Sequence, residues 1–424
     1  MDYEKVTFKN KLRLVVVPIK NMESATVTIW VNTGSRYETP KLSGMSHFLE
    51  HMPAKGTTKR SSAKIISEEI DSFGAEFNAG TSKDWTNYYI KTRKAKVEHA
   101  FDLLSDMVLS PLLKTEDIER EKGVIIEEMG MYEDTPMMHI GDVFDRLAFE
   151  GNPLGVDIIG SRETVKRFTR NDFIRYRKMH YGSNTILVTV SGGVRVSDMR
   201  VLTQKYLGGL TQITEKPFKK YSHIQTGPRV MLDTKKAEQA HFILGFPGFG
   251  RGDKNRFTEV VLTTILGGGM SSRLFSEVRE QRGLAYSVNT SSDHFDETGY
   301  IGTYAGVDPK RIEEALKVTL SEHYALASGE KGIEAKELIK AKEYLKGHIA
   351  LSLENTKSIN QFVGLRELKL RKMETPQDVY AGIDAVTVKD VVALASEVFK
   401  PKLANLAIIG PYKGSSKFEK ILRI

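Results

Sequence analysis

The amino-acid sequence carries one pattern twice, and this limits its possible folds more than any other feature. The strand-like Glu23-Ser24-Ala25-Thr26-Val27-Thr28-Ile29-Trp30-Val31 returns 215 positions later (238 − 23) as Glu238-Gln239-Ala240-His241-Phe242-Ile243-Leu244-Gly245-Phe246. Further on, Gly74-Ala75-Glu76-Phe77-Asn78, a polar loop, a strand ending at Ile90 and a helix over 95–108 match Gly283-Leu284-Ala285-Tyr286-Ser287, a loop, a strand over 300–305 and a helix over 309–320. Each half closes with a helix capped by a threonine, Thr169 or Thr387. An aspartate, Asp172 or Asp390, follows three residues later in the positive end of the helix dipole, and an apolar strand comes after the helix.

The expected fold class is therefore α+β, with two homologous domains, each a mixed, mainly antiparallel sheet with helices packed on it. The length of 424 residues independently calls for more than one core. The Gly- and Lys-rich stretch Gly208–Pro228 marks the junction, which gives domains over 1–212 and 229–424 and a linker over 213–228.

Composition removes several functions. Cysteine is absent, which excludes disulfides, thiol catalysis and thiolate-bound metal, so any metal must be held by nitrogen and oxygen. The net charge of +8 is scattered and lacks the interleaved aromatics of a nucleic-acid groove, so no nucleic-acid partner is expected. Acidic residues at the N-terminus, and the lack of any apolar run of membrane-spanning length, point to a cytoplasmic protein without a membrane partner.

The chemistry gathers at His47-Phe48-Leu49-Glu50-His51. Histidines four apart on a helix lie one turn above each other on the same side, so both imidazoles can face one metal ion. Glu50 can then take the proton from a metal-bound water in an H-x-x-E-H arrangement. With 10 His and 54 acidic residues, chance supplies only about 0.03 such motifs in a chain of this length. Catalytic zinc also wants a third protein ligand. The helical stretch 115–133, capped by Thr115, places Glu121 and Glu128 on the same side as Ile118, Ile125 and Met129, while Glu119 and Glu127 point away. Spacing alone does not choose between Glu121 and Glu128.

Several further segments carry a family likeness: Gly34-Ser35-Arg36-Tyr37-Glu38, Gly44–Met52, Lys55-Gly56-Thr57, Phe77-Asn78-Ala79, Glu121–Glu128, Pro153-Leu154-Gly155 and Arg279-Glu280-Gln281-Arg282-Gly283-Leu284-Ala285-Tyr286. In these, and along nearly its whole length, the chain resembles the pitrilysin or insulinase family of zinc metallopeptidases. The likeness is to the short two-domain branch that includes the β subunit of the mitochondrial processing peptidase. The resemblance implies one Zn2+ per chain, with Glu128 as third ligand beside His47 and His51, and Glu121 behind the ligands. It implies that Asn78 and Ala79 belong to an edge strand that pairs with an extended peptide, and that Arg279 and Tyr286 contact the substrate and the developing oxyanion.

The repeat makes the two halves unequal. An offset of 215 from the motif reaches Leu262-Thr263-Thr264-Ile265-Leu266, which holds no histidine or glutamate. The expected activity is that of a zinc endopeptidase acting on peptides or unfolded polypeptides in an enclosed chamber, as a homodimer or paired with an inactive homologous subunit. The alternative is a non-catalytic assembly subunit, against which the intact motif argues. One departure from the family pattern stands out. Pro53-Ala54 replaces an aromatic, and Pro53 should end the helix just past His51.

Overall fold

The computed structural model describes residues 1–423. It contains eleven strands: β1 (Glu4–Thr7), β2 (Arg13–Pro18), β3 (Ser24–Val31), β4 (Glu76–Thr81), β5 (Thr86–Arg93), β6 (Ile186–Gly192), β7 (Arg229–Thr234), β8 (Ala240–Phe249), β9 (Ala285–His294), β10 (Thr298–Val307) and β11 (Asn405–Gly410). They form a six-stranded sheet, β1-β2-β6-β3-β5-β4, and a five-stranded one, β7-β11-β8-β10-β9. Apart from β1 the two orders are the same. Only β2/β6 and the equivalent β7/β11 are parallel. The duplicated α+β architecture expected from the repeat is what the chain adopts.

The ladder refines the match at the sheet edge. Tyr89 faces Thr28 and Tyr304 faces Ile243, each pair shifted by 215. On these rungs β4 supplies Asn78 and β9 supplies Asn289. The repeat in the sequence sets Ser287 against Asn78, two residues short. Counted from the glycine that opens each segment, Gly74 and Gly283, β9 carries two more residues before the shared rung, and its register shifts at Gly306/Val307.

The alternation of apolar residues explains how each sheet is covered. Leu14, Val16, Val27, Ile29, Val188 and Val190 face one core, which includes Phe101 and Leu104 of the helix Val97–Leu109. Val15, Val17, Trp30 and Leu187 face the other side, where Ile359 and Val363 of the helix Thr356–Leu365 pack. That helix is also tied by polar contacts. Asn360 donates to the Thr26 carbonyl at 2.8 Å, and Thr356 pairs with Thr26 at 2.8 Å.

The compact units consequently do not follow the halves of the chain. One comprises Met1–Gly130, Val156–Lys219 and Leu351–Thr375, and the other comprises Met131–Gly155, Lys220–Ala350 and Pro376–Ile424. The halves exchange a helix, a feature that the boundaries 1–212 and 229–424 do not contain. In the second unit the helix Pro136–Ala148 sets Ile140, Val143 and Phe144 against Ala407 and Ile409 of β11. The fit is complementary. On the first sheet Trp30 meets Gly364 of its helix, and on the second Gly245, 215 positions after Trp30, meets Phe144, so a Cβ on either glycine would overlap the ring. No helix among the described residues is long and apolar enough to cross a membrane.

Candidate metal centre

The motif forms the helix Met45–His51, lying against β4. Met45, Phe48 and Leu49 are buried with Ile118, Ile125 and Met129 of the helix Thr115–Asp134, so one apolar seam brings the two helices together. Pro53 ends the first helix as expected, and a 3-10 turn, Met52–Lys55, follows. The start of the helix is built with equal care. Gly44 takes φ 92° against the backbone of Ile159 and Gly160, where a side chain would not fit. Glu38 accepts from the N–H groups of Gly44 at 2.8 Å and Ser46 at 2.6 Å. Burial pushes the Glu38 carboxyl up to about 8 against the pull of these donors.

The apolar seam sets His47, His51 and Glu128 together, with one ligand atom from each within 4.8 Å of the others. His47 Nε2 lies 3.6 Å from Glu128 Oε1, and His51 Nε2 lies 3.7 Å from Glu128 Oε2. Zinc bound at about 2.1 Å in tetrahedral geometry spaces its ligand atoms about 3.4 Å apart, so this donor set, slightly wider than that, can close on zinc. Glu128 Oε2 is buried with no hydrogen-bond partner, as an atom awaiting a cation would be. Burial raises the Glu128 carboxyl, but the neighbouring His47 and His51 imidazoles outweigh this and hold it below the ordinary value.

The two glutamates that spacing left open have different surroundings. Glu121 is buried and already committed: its Oε1 accepts from His51 Nδ1 at 2.9 Å and its Oε2 meets Lys55 Nζ at 2.6 Å. Glu128 keeps its oxygens toward the imidazoles. Glu119 and Glu127 are exposed, as expected. Glu50 stays outside the donor group. Its charge adds to the effect of burial in raising the phenols of Tyr88 and Tyr181, which places it beside them.

Asn78 and Ala79 lie on β4, the open edge of the first sheet, where Asn78 Oδ1 accepts the Ala79 N–H at 2.8 Å. Arg279 and Tyr286 belong to the second unit and meet there. Arg279 Nη1 donates to the Tyr286 carbonyl at 2.9 Å, and its guanidinium lies 4.9 Å from that ring. The arginine rides on a π-helical turn, Phe275–Glu280, and Tyr286 is 79% exposed, which leaves its ring available to a ligand. The equivalent of the metal helix, Arg256–Gly267, buries Leu262, Thr263, Thr264, Ile265 and Leu266 where the first copy holds its donors. Sequence reasoning missed the roles of Glu38 and Lys55. Glu38 carried a signal, an acidic residue shortly before a helix start.

A helical His-x-x-Glu-His motif with a distant glutamate, on a duplicated α+β scaffold, defines the class of inverted-motif zinc proteases. Comparison narrows the class. Residues 14–162 match the model of the insulinase family (peptidase family M16), and residues 167–345 match that of the M16 inactive domain. A Streptomyces coelicolor protein described as an uncharacterized zinc protease is 38% identical over 416 residues, covering 96% of this chain and 90% of its own. YmxG of Bacillus subtilis, described in the same words, is 34% identical over 413 residues, covering 96% and 98%. A solved protease from Helicobacter pylori superposes with a TM-score of 0.89 at 26% identity, covering 96% of this chain and 99% of that one. The chain belongs to peptidase family M16, the insulinase family of zinc proteases, in its short two-domain form.

Proposed function

We propose that the chain is a zinc-dependent endopeptidase that hydrolyses peptides or unfolded polypeptides in an enclosed chamber. The observation that carries this is the meeting of His47, His51 and Glu128 donor atoms on a helix that also bears an unligated Glu50. His47, His51 and Glu128 would hold the metal. Zinc, when bound there, polarises the scissile carbonyl and makes water a better nucleophile at neutral pH.

Glu50 takes the proton of the attacking water and returns it to the leaving amine. Substrate in extended form adds as a strand to the open edge of β4, displacing the Asn78 side chain from the Ala79 N–H. Arg279 and Tyr286 hold the peptide and the charge that develops on its carbonyl oxygen. A homodimer in solution belongs to this reading, and a fully active monomer in sedimentation would remove that element.

Metal analysis with a peptide assay tests the core of it. One zinc per chain and cleavage of an unstructured peptide that stops with chelator and returns with zinc are the expected results. Chelator-insensitive cleavage would overturn the reading.

A further inference from the structure

Lys55 lies four residues beyond His51, past the point where Pro53 ends the helix, yet its ammonium is 2.6 Å from Glu121 Oε2. The other oxygen of that carboxylate accepts from His51 Nδ1 at 2.9 Å. The three groups form a chain, Lys55 to Glu121 to His51, that ends on a metal-facing imidazole. Glu121 is buried, so without the ammonium its carboxylate would keep a single partner in a poorly solvated place.

A lysine stem is flexible and by itself fixes little. Here its base is held from behind. Gly56 takes φ 145°, Thr57 Oγ1 donates to Asp106, and the Arg60 N–H donates to Thr57 Oγ1 at 2.9 Å. The Arg60 guanidinium then meets Glu69 at 2.6 Å, Asp102 at 2.7 Å and Asp106 at 3.1 Å. The two histidines differ in this respect. His47 Nδ1 is buried with no hydrogen-bond partner, so of the two imidazoles it is His51 that a carboxylate orients.

We propose that Lys55 is a positioning residue of the metal centre: by clamping Glu121 onto His51 Nδ1 it fixes the ring plane and the tautomer that turns the Nε2 lone pair toward zinc. This rests on the reading that His47, His51 and Glu128 hold the metal. Outer partners of ligating histidines typically change metal affinity by about 10–100-fold, and a residue acting through such a partner should show an effect within that span.

The test is the zinc dissociation constant, from competition with a chromogenic chelator, for the wild-type chain and the variants Lys55→Met, Lys55→Arg, Glu121→Gln and Lys55→Met/Glu121→Gln. Lys55→Met should weaken zinc by about tenfold and Lys55→Arg should recover most of the loss. The double variant should be no weaker than Glu121→Gln alone, because the lysine acts through the carboxylate. The metal-free Lys55→Met protein should melt below the metal-free wild type, because its buried carboxylate has lost a partner, and Lys55→Arg should restore the midpoint together with the zinc affinity. Unchanged zinc affinity in Lys55→Met, or additive losses of zinc affinity in the double variant, would each overturn the role. A wild-type chain that takes up no zinc would overturn the metal-site reading and this role with it, a result distinguishable from failure of the role alone.

Discussion

The helices Met45–His51 and Arg256–Gly267 occupy equivalent places beside the edge strands β4 and β9, and of the two the first carries the candidate metal ligands. Their supports are shared. Arg36 and Glu38 recur 215 positions later as Arg251 and Asp253. Glu38 accepts from the N–H groups of Gly44 and Ser46, and Asp253 accepts from Asn255 N–H at 2.7 Å, at the start of each helix. The donors differ: the positions of His47, Glu50 and His51 are filled by Leu262, Ile265 and Leu266, all buried. The arginine and the acid are therefore common to both copies, whereas the His-x-x-Glu-His set stands in the first alone.

Substitution at matched positions gives the largest contrast. His51→Ala should weaken zinc by more than the roughly 10–100-fold typical of an outer partner and reduce peptide cleavage to background. Leu266→Ala, at the equivalent place, should cost about 2–5 kcal/mol in chemical denaturation while one zinc per chain remains. Loss of zinc from the Leu266 variant would break the comparison. A smaller effect is expected from the second unit's own contribution to the reaction. Arg279→Ala should lower kcat by about 10²–10³-fold with zinc content intact. Full activity in that variant would leave the second unit with a scaffold role alone.

The smallest effect separates the helices by pH. Glu259 is fully buried on the second helix. Burial, with Asp253 nearby, pushes its carboxyl up to about 8 against a single hydrogen bond from Phe249 N–H. Between its ordinary value of 4.5 and about 8 the folded chain thus retains a proton that the unfolded chain has released. Its contribution to stability is full below that window and is lost as pH rises through it, by about 1 kcal/mol or more. Glu259→Gln should flatten this slope in denaturation measured from pH 5 to 8. An unchanged slope would show that the carboxyl is ionised throughout.

Much of the architecture was legible because a repeat fixes strand order, and because Thr169 and Thr387 each start a helix whose aspartate accepts the cap N–H at 2.9 Å. The zinc donors were legible in part. His47 and His51 follow from helical spacing, but Glu121 and Glu128 share a helix face, and only their surroundings tell them apart: Lys55 occupies one, and the other has a buried oxygen to spare. The exchange of the helices Pro136–Ala148 and Thr356–Leu365 could not be read. The periodicity of a helix shows that one face is apolar, not which sheet it covers. That choice lies in paired sizes, Trp30 against Gly364 and Phe144 against Gly245, residues distant in sequence.

The central claim is that Glu50 works as a proton carrier beside a metal it does not bind. Glu50→Gln preserves shape and removes the base, so zinc content and peptide turnover measured on the same sample address it directly. One zinc per chain with turnover lowered by about 10²–10⁴-fold is the expected result. Undiminished turnover in that zinc-loaded variant would contradict the account.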